Sequence, residues 1–241
     1  MPADPDLGQG MRTFQEIFVL AADRHGGAEA LEARIAEHRP KSRDELAAIP
    51  DDRWLAAMTR FVFVAGFQWR VIDSKWPGFE AAFWGFDVAR CAAMSDDELD
   101  VLLKDTRIVR NGAKVASVRA NALFLSDLAR KHGGAAKVFA DWPDADYAGL
   151  LDLLKTYASR LGGESATRFL RTMGKPSFIT SRDVTAALIQ AGVLEKPPSG
   201  KRDLQTVQAA FNLWAEESGR DLTAISRTLA LSTGDPPARG R

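Results

Sequence analysis

An all-α fold is predicted for this chain by three observations. Apolar residues recur three and four positions apart through most of its length, β-branched alternating runs are scarce, and the tight turns that join paired strands are few. The 241 residues, 46% hydrophobic and 27% charged, are enough for a substantial core, in one unit or split into two lobes.

The elements follow from stripes and breaks taken in order. Residues 1–10 are rich in Pro, Gly and Asp without apolar period and are expected to be a mobile tail. Pro40 with Lys41-Ser42-Arg43 closes the first helical stretch, and Pro77-Gly78 breaks the aromatic-rich one that follows. Ser95-Asp96-Asp97-Glu98 is an N-cap followed by first-turn acids, leading into Leu99, Leu102 and Leu103. The polar turn at 108–115 separates two helices, the second running through Val118, Ala122 and Leu125 to the break at Gly133-Gly134. After Trp142-Pro143-Asp144 come the stripes Tyr147, Leu150, Leu151, Leu154 and then Ala166, Phe169, Leu170, Met173, joined across Gly162-Gly163. Gly174-Lys175-Pro176 ends that pair. Val184, Ala187, Leu188, Ala191 and, past Pro197-Pro198-Ser199-Gly200, Val207, Ala210, Phe211, Trp214 mark two more helices, and 234–241 is expected to be a second mobile tail. On this reading residues 11–53 with 176–233 form one lobe, and 54–175 form the other, which contains the hairpin.

Composition excludes several function classes. Thirty-two basic residues balance thirty-two acidic ones, so any contact with nucleic acid must come from local arrangement rather than net charge. Cys91 is the sole cysteine, which rules out an internal disulfide, a four-cysteine zinc site and a cysteine-held iron–sulfur cluster within one chain. No apolar run approaches the roughly 20 residues of a membrane-spanning helix, and the N-terminus shows no signal pattern, so a cytoplasmic protein is expected.

Three segments point to chemistry. In Arg160-Leu161-Gly162-Gly163-Glu164-Ser165-Ala166, a glycine turn between two helices aims backbone N–H groups outward, as a phosphate requires; Gly162, Gly163 and Ser165 are the candidate contacts. In Ala65-Gly66-Phe67-Gln68-Trp69, small residues adjoin a large ring and an amide, as a slot for a flat base requires, and an indole face attracts a cationic base. In Ile108-Val109-Arg110-Asn111-Gly112-Ala113-Lys114-Val115, Arg110 and Lys114 would meet phosphates while Asn111 fills the gap left by an extruded nucleotide; the alternative is a plain helix connection with solvated charges. Arg168, Arg171 and Lys175 follow the hairpin on one helical face and would continue a phosphate track. His25, His38 and His132 lie near helix ends and suggest no ligand set.

These segments, with Phe79-Glu80-Ala81-Ala82-Phe83-Trp84-Gly85-Phe86-Asp87 and Asn121-Ala122, make the chain resemble the helix-hairpin-helix DNA glycosylases, and among them the bacterial 3-methyladenine group. The resemblance spans about Trp54 to Leu194. It implies base excision repair on double-stranded DNA with the damaged base flipped out, by a monomer that releases alkylated, 3-methyladenine-like purines. It implies Phe61, Phe67, Gln68 and Trp69 around the base. Phe61 falls where the family carries a base-contacting acid. A hairpin lysine would mark a strand-cutting enzyme, but Glu164 stands at that position, so a monofunctional enzyme using water is implied. The family's zinc site of two cysteines and two histidines has no counterpart in the sequence, and neither metal nor cofactor is expected. Asp183 lies close to the family's catalytic aspartate; it reads equally as a first-turn acid behind the N-cap Ser181. The alternative to an enzyme is a non-catalytic binder of DNA lesions.

Overall fold

The computed structural model describes residues 10–233; apart from Gly10, both tails anticipated from sequence lie outside the described residues. It is all-α, with no strand among the described residues. In chain order the helices are α1 (Phe14–His25), α2 (Ala28–Ala36), α3 (Arg43–Ala47), α4 (Asp51–Val64), α5 (Trp69–Ala82), α6 (Val88–Ala92), α7 (Asp96–Leu102), α8 (Gly112–His132), α9 (Ala135–Asp141), α10 (Tyr147–Tyr157), α11 (Glu164–Met173), α12 (Arg182–Gln190), α13 (Lys201–Ser218) and α14 (Leu222–Thr233).

The chain divides into two units. The first takes the described residues up to Pro40, then Pro143–Gly149 and the chain from Pro176; the second takes Lys41–Trp142 and Leu150–Lys175. The division at Pro40 lies upstream of the 53/54 boundary anticipated from sequence, because α3 packs on α9 and Arg43 pairs with Asp141 at 2.6 Å. The sequence shows the proline but not this long-range partner.

Within the first unit, Thr13 and Glu16 form a reciprocal capping box at the start of α1, which ends on the left-handed Gly26. Ala21, Leu31 and Ile35 form a core with Phe18, Ala224 and Leu231 packed against it. Tyr147, Phe178, Phe211 and Trp214 make a run of ring contacts at 4.7–5.6 Å. His25 is buried, its Nε2 2.9 Å from the Leu231 carbonyl oxygen.

The second unit is centred on α4. Trp54 stacks on Phe139 at 4.5 Å and meets Phe169 of α11 edge-on at 5.8 Å, while Phe63 meets Phe79 at 4.7 Å. Phe79, Phe83 and Phe86 are fully buried and stack with Trp76, so most of the aromatic cluster is core, as its helical spacing implies. Ser95 caps α7 in a capping box with Glu98.

The expected break at Pro77-Gly78 is not there: Pro77 lies inside α5. A proline sacrifices one backbone bond and crowds the preceding turn. Here packing outweighs that cost, since Trp76 and Phe79 flank it in the aromatic stack. Gly78 is needed for a different reason than a turn. A Cβ there would sit 2.5 Å from the Arg107 carbonyl oxygen, so only glycine lets α5 approach the segment before α8.

Candidate DNA-base site

The residues of interest gather at one end of α4. After α4 stops at Val64, residues 65–71 are all exposed, and Phe67, Trp69 and Val71 show 42%, 43% and 39% of their surface. Two exposed rings and a valine within five residues are unusual for core-seeking residue types. Gln68 is the exposed N-cap residue of α5, its side chain making no cap bond. Phe61 is buried beneath them: it meets Trp69 at 5.3 Å and 81°, and Phe169 at 6.5 Å. Through Phe61, therefore, the indole is tied to α11, the second helix of the hairpin.

The hairpin loop lies between α10 and α11. Gly163 has φ +58, and no side chain caps the first turn of α11, so the amide groups around exposed Gly162 and Gly163 stay open, with Ser165 in that first turn. Arg160 also adopts a left-handed φ of +62, exposing its guanidinium. What holds this loop is Asn121, fully buried in α8. Its Oδ1 accepts the Ser159 N–H at 2.6 Å and its Nδ2 donates to the Ser159 carbonyl at 3.2 Å. One side chain thus satisfies both backbone groups of the residue that begins the turn.

In the segment before α8, two of the three residues read from sequence as DNA contacts are engaged within the protein. Lys114 is buried, and its ammonium donates to the carbonyls of Phe63, at 3.0 Å, and Ala65. Those are carbonyls at the end of α4, where an ammonium is favoured both as a donor and by the helix dipole. Burial holds the Lys114 amine below its ordinary value, with nearby Arg160 adding to the effect. Its Nζ lies 4.7 Å from the Phe67 ring centroid. Lys114 is therefore a strut under the exposed loop, its ammonium committed to those two carbonyls. Asn111 is likewise engaged inward: its Oδ1 accepts the Lys114 N–H at 3.1 Å as the N-cap of α8. Arg110 alone of that trio is exposed. Of the proposed phosphate track, Arg168 pairs with Glu164 one turn back, and Lys175 is buried with its Nζ donating to the Trp142 carbonyl at 2.6 Å.

The sequence motif Asn121-Ala122 marks Asn121, a polar residue on the apolar stripe of Val118, Ala122 and Leu125, but not its role on Ser159. Arg60 carries no signal in the sequence. Its guanidinium carbon lies 5.9 Å from the Trp69 ring centroid and 5.2 Å from that of Trp76, and it pairs with Asp73. The indole anticipated to attract a cationic base thus already faces a cation belonging to the protein.

Asp183 belongs to the first unit. It is a first-turn acid of α12, whose N-cap Ser181 accepts the Val184 N–H at 3.3 Å, and it pairs with Arg182 at 3.4 Å. Locally it behaves as a helix-end charge, and its unit brings none of the other sequence-picked residues beside it. The zinc set of the resembling family does not fit these residues. Cys91 is buried with its thiol donated to the Phe83 carbonyl at 3.4 Å, and no group of three or more candidate metal ligands comes together among the described residues.

Residues 50–148, which include Trp69 and the α8 N-terminus, match the model of the methyladenine glycosylase family; the hairpin lies beyond the matched segment. Among solved structures the chain is similar to a 3-methyladenine DNA glycosylase I at 19% identity and TM-score 0.44, covering 57% of this chain and 80% of that one. It is similar also to the 3-methyladenine DNA glycosylase I of Staphylococcus aureus, at 16% identity and TM-score 0.45, covering 64% and 90%. A search of curated proteins found no match.

Proposed function

We propose that this chain is a monofunctional DNA glycosylase that hydrolyses the N-glycosidic bond of alkylated, 3-methyladenine-like purines in base excision repair. The observation that carries this reading is the pairing, within one unit, of an exposed Trp69 with an open glycine hairpin whose second helix touches the same Phe61. The substrate is double-stranded DNA with the lesion turned out of the stack, its base lying on Trp69 and Phe67 and its backbone on the amides around Gly162 and Gly163, beside Ser165 and Arg110.

An alkylated purine carries positive charge and leaves readily. When the C1′–N bond breaks, the electron pair stays with the purine, which departs neutral, and a water molecule adds its oxygen to C1′ and releases a proton. The residues of this chain have then to bind, orient and shield, which is work suited to stacking rings and fixed amides. The absence of a lysine at Glu164 supports water as the nucleophile. No helix among the described residues is long and apolar enough to cross a membrane. We further assign the monomer as the working form, with neither metal nor cofactor required, and the cytoplasm as its compartment.

Methylated DNA incubated with purified protein is expected to yield free 3-methyladenine and abasic sites, and Trp69→Ala to abolish the yield. No release above that of Trp69→Ala overturns the enzyme reading. Tight abasic-site binding without turnover, unaltered by Asp183→Asn, would instead identify a lesion binder. A catalytic Asp183 is expected to lose turnover on Asp183→Asn while keeping affinity for DNA.

A further inference from the structure

We propose that Arg60 sets the charge preference of the base site, so that the site holds a neutral purine more tightly than a cationic one and drives positive charge off a bound alkylpurine. This rests on the glycosylase reading above and deepens it.

The indole of Trp69 is the exposed surface on which a base would stack, and a cation near an aromatic face weakens its pull on a second cation. The Arg60 guanidinium occupies that role at 5.9 Å, and it is shared with Trp76 at 5.2 Å. Its neutralisation is incomplete. Only Nη2 reaches Asp73, and the buried Nε–H has no acceptor. A bidentate pair would have used both. The other exposed ring, Phe67, faces the Lys114 ammonium at 4.7 Å, which bonds carbonyls and makes no ion pair among the described residues. Phe61, between Trp69 and α11, contributes no charge at all. Both exposed rings therefore have a protein cation at close range; the Asp73 carboxylate paired with Arg60 is half-exposed and screened by solvent, and the Glu80 carboxylate that accepts the Trp76 Nε1–H is itself paired with Arg53.

The chemistry gives this placement a consequence. In DNA, an N3-alkylated adenine is cationic. As the C1′–N9 bond breaks, its electrons pass to N9, the purine becomes neutral, and the positive charge moves onto C1′ and O4′ before water adds there and loses a proton. A guanidinium beside the base disfavours the bound ground state more than the transition state, in which the charge has begun to leave. Such a residue weakens binding and speeds the bond-breaking step.

The test uses Arg60→Met, which keeps an unbranched side chain against Trp76, and Arg60→Lys, which keeps the charge. Binding of free 3-methyladenine, neutral at pH 7.5, and of 3,9-dimethyladeninium, cationic, is followed by tryptophan quenching, with Trp69→Phe as control in each background. Arg60→Met is expected to tighten the cation by about two- to fivefold, the size of an exposed cation–π contact, and to leave the neutral base unchanged. Arg60→Lys is expected to match the unsubstituted protein. On methylated DNA in single turnover, Arg60→Met should lower both the half-saturating concentration and the maximal rate. Equal shifts for the two ligands, or weaker cation binding in Arg60→Met, overturn the proposal while leaving the base site in place. No quenching by either ligand overturns the base site and the proposal together. Charge discrimination without excision leaves the charge preference of the base site standing and overturns the enzyme reading together with the effect on bond breaking.

Discussion

Replacing Asn121 by alanine removes the two hydrogen bonds that hold the start of the hairpin loop, and their cost follows from the geometry. Asn121 is fully buried and makes bonds of 2.6 and 3.2 Å with the N–H and C=O of Ser159. Each hydrogen bond contributes about 0.5–1.5 kcal/mol net, and a buried group left without a partner costs about 1–3 kcal/mol. Ser159 is half-buried, so water repairs part of the loss, and the expected destabilisation is about 2–3 kcal/mol. At about 2–4 °C per kcal/mol for a chain of this size, Tm falls by about 4–12 °C in calorimetry. Asn121→Asp keeps the acceptor but sets a carboxylate oxygen against the Ser159 carbonyl, so it should lose at least as much at neutral pH. Hydrogen exchange should report faster opening of the Ser159 amide, and affinity for DNA should fall as the loop loosens. A loss below about 0.5 kcal/mol, with Ser159 still protected, would refute the view that this one side chain fixes the hairpin.

Other outcomes follow from buried and paired groups. Burial holds Lys114 below its ordinary 10.5. Between that lowered value and 10.5 the unfolded chain binds more proton than the folded one, so stability attributable to Lys114 rises with pH across that window. Urea titrations from pH 8 to 10 should show this rise in the unsubstituted protein and not in Lys114→Met. The Cys91 thiol is pushed up to about 12, chiefly by burial and next by Asp87, so Ellman's reagent at pH 8 should label it only after denaturation. The Arg90 guanidinium and the Ser95 N–H pull Glu98 from 4.5 down to about 2, so its contribution is present above pH 4.5 and lost as pH falls towards 2. Glu98→Gln should flatten the acid limb of stability in that window.

How much of this was legible without coordinates differs residue by residue. Helix period, the cap at Ser95 and the glycine turn at 162–163 are local properties, set by side chains within a turn of one another, and the chain alone determines them. The motifs around Trp69 and the α8 N-terminus also pointed to the methyladenine glycosylase family, whose model matches residues 50–148. Whether a charge faces solvent is not local. Arg110 and Lys114 have the same sign and lie four residues apart, yet one is exposed and the other is buried under a carbonyl pair contributed by α4, some fifty residues earlier. The same holds for Pro77, whose helix-breaking tendency yields to the packing of its neighbours Phe79 and Trp76 against Phe63 and Phe86, and for Arg60, which finds Trp69 and Trp76 only once α4 and α5 pack. Spacing along one helix places a side chain on a face; only the packing of helices distant in sequence decides what that face meets, because burial and hydrogen-bond partners are properties of the assembled unit.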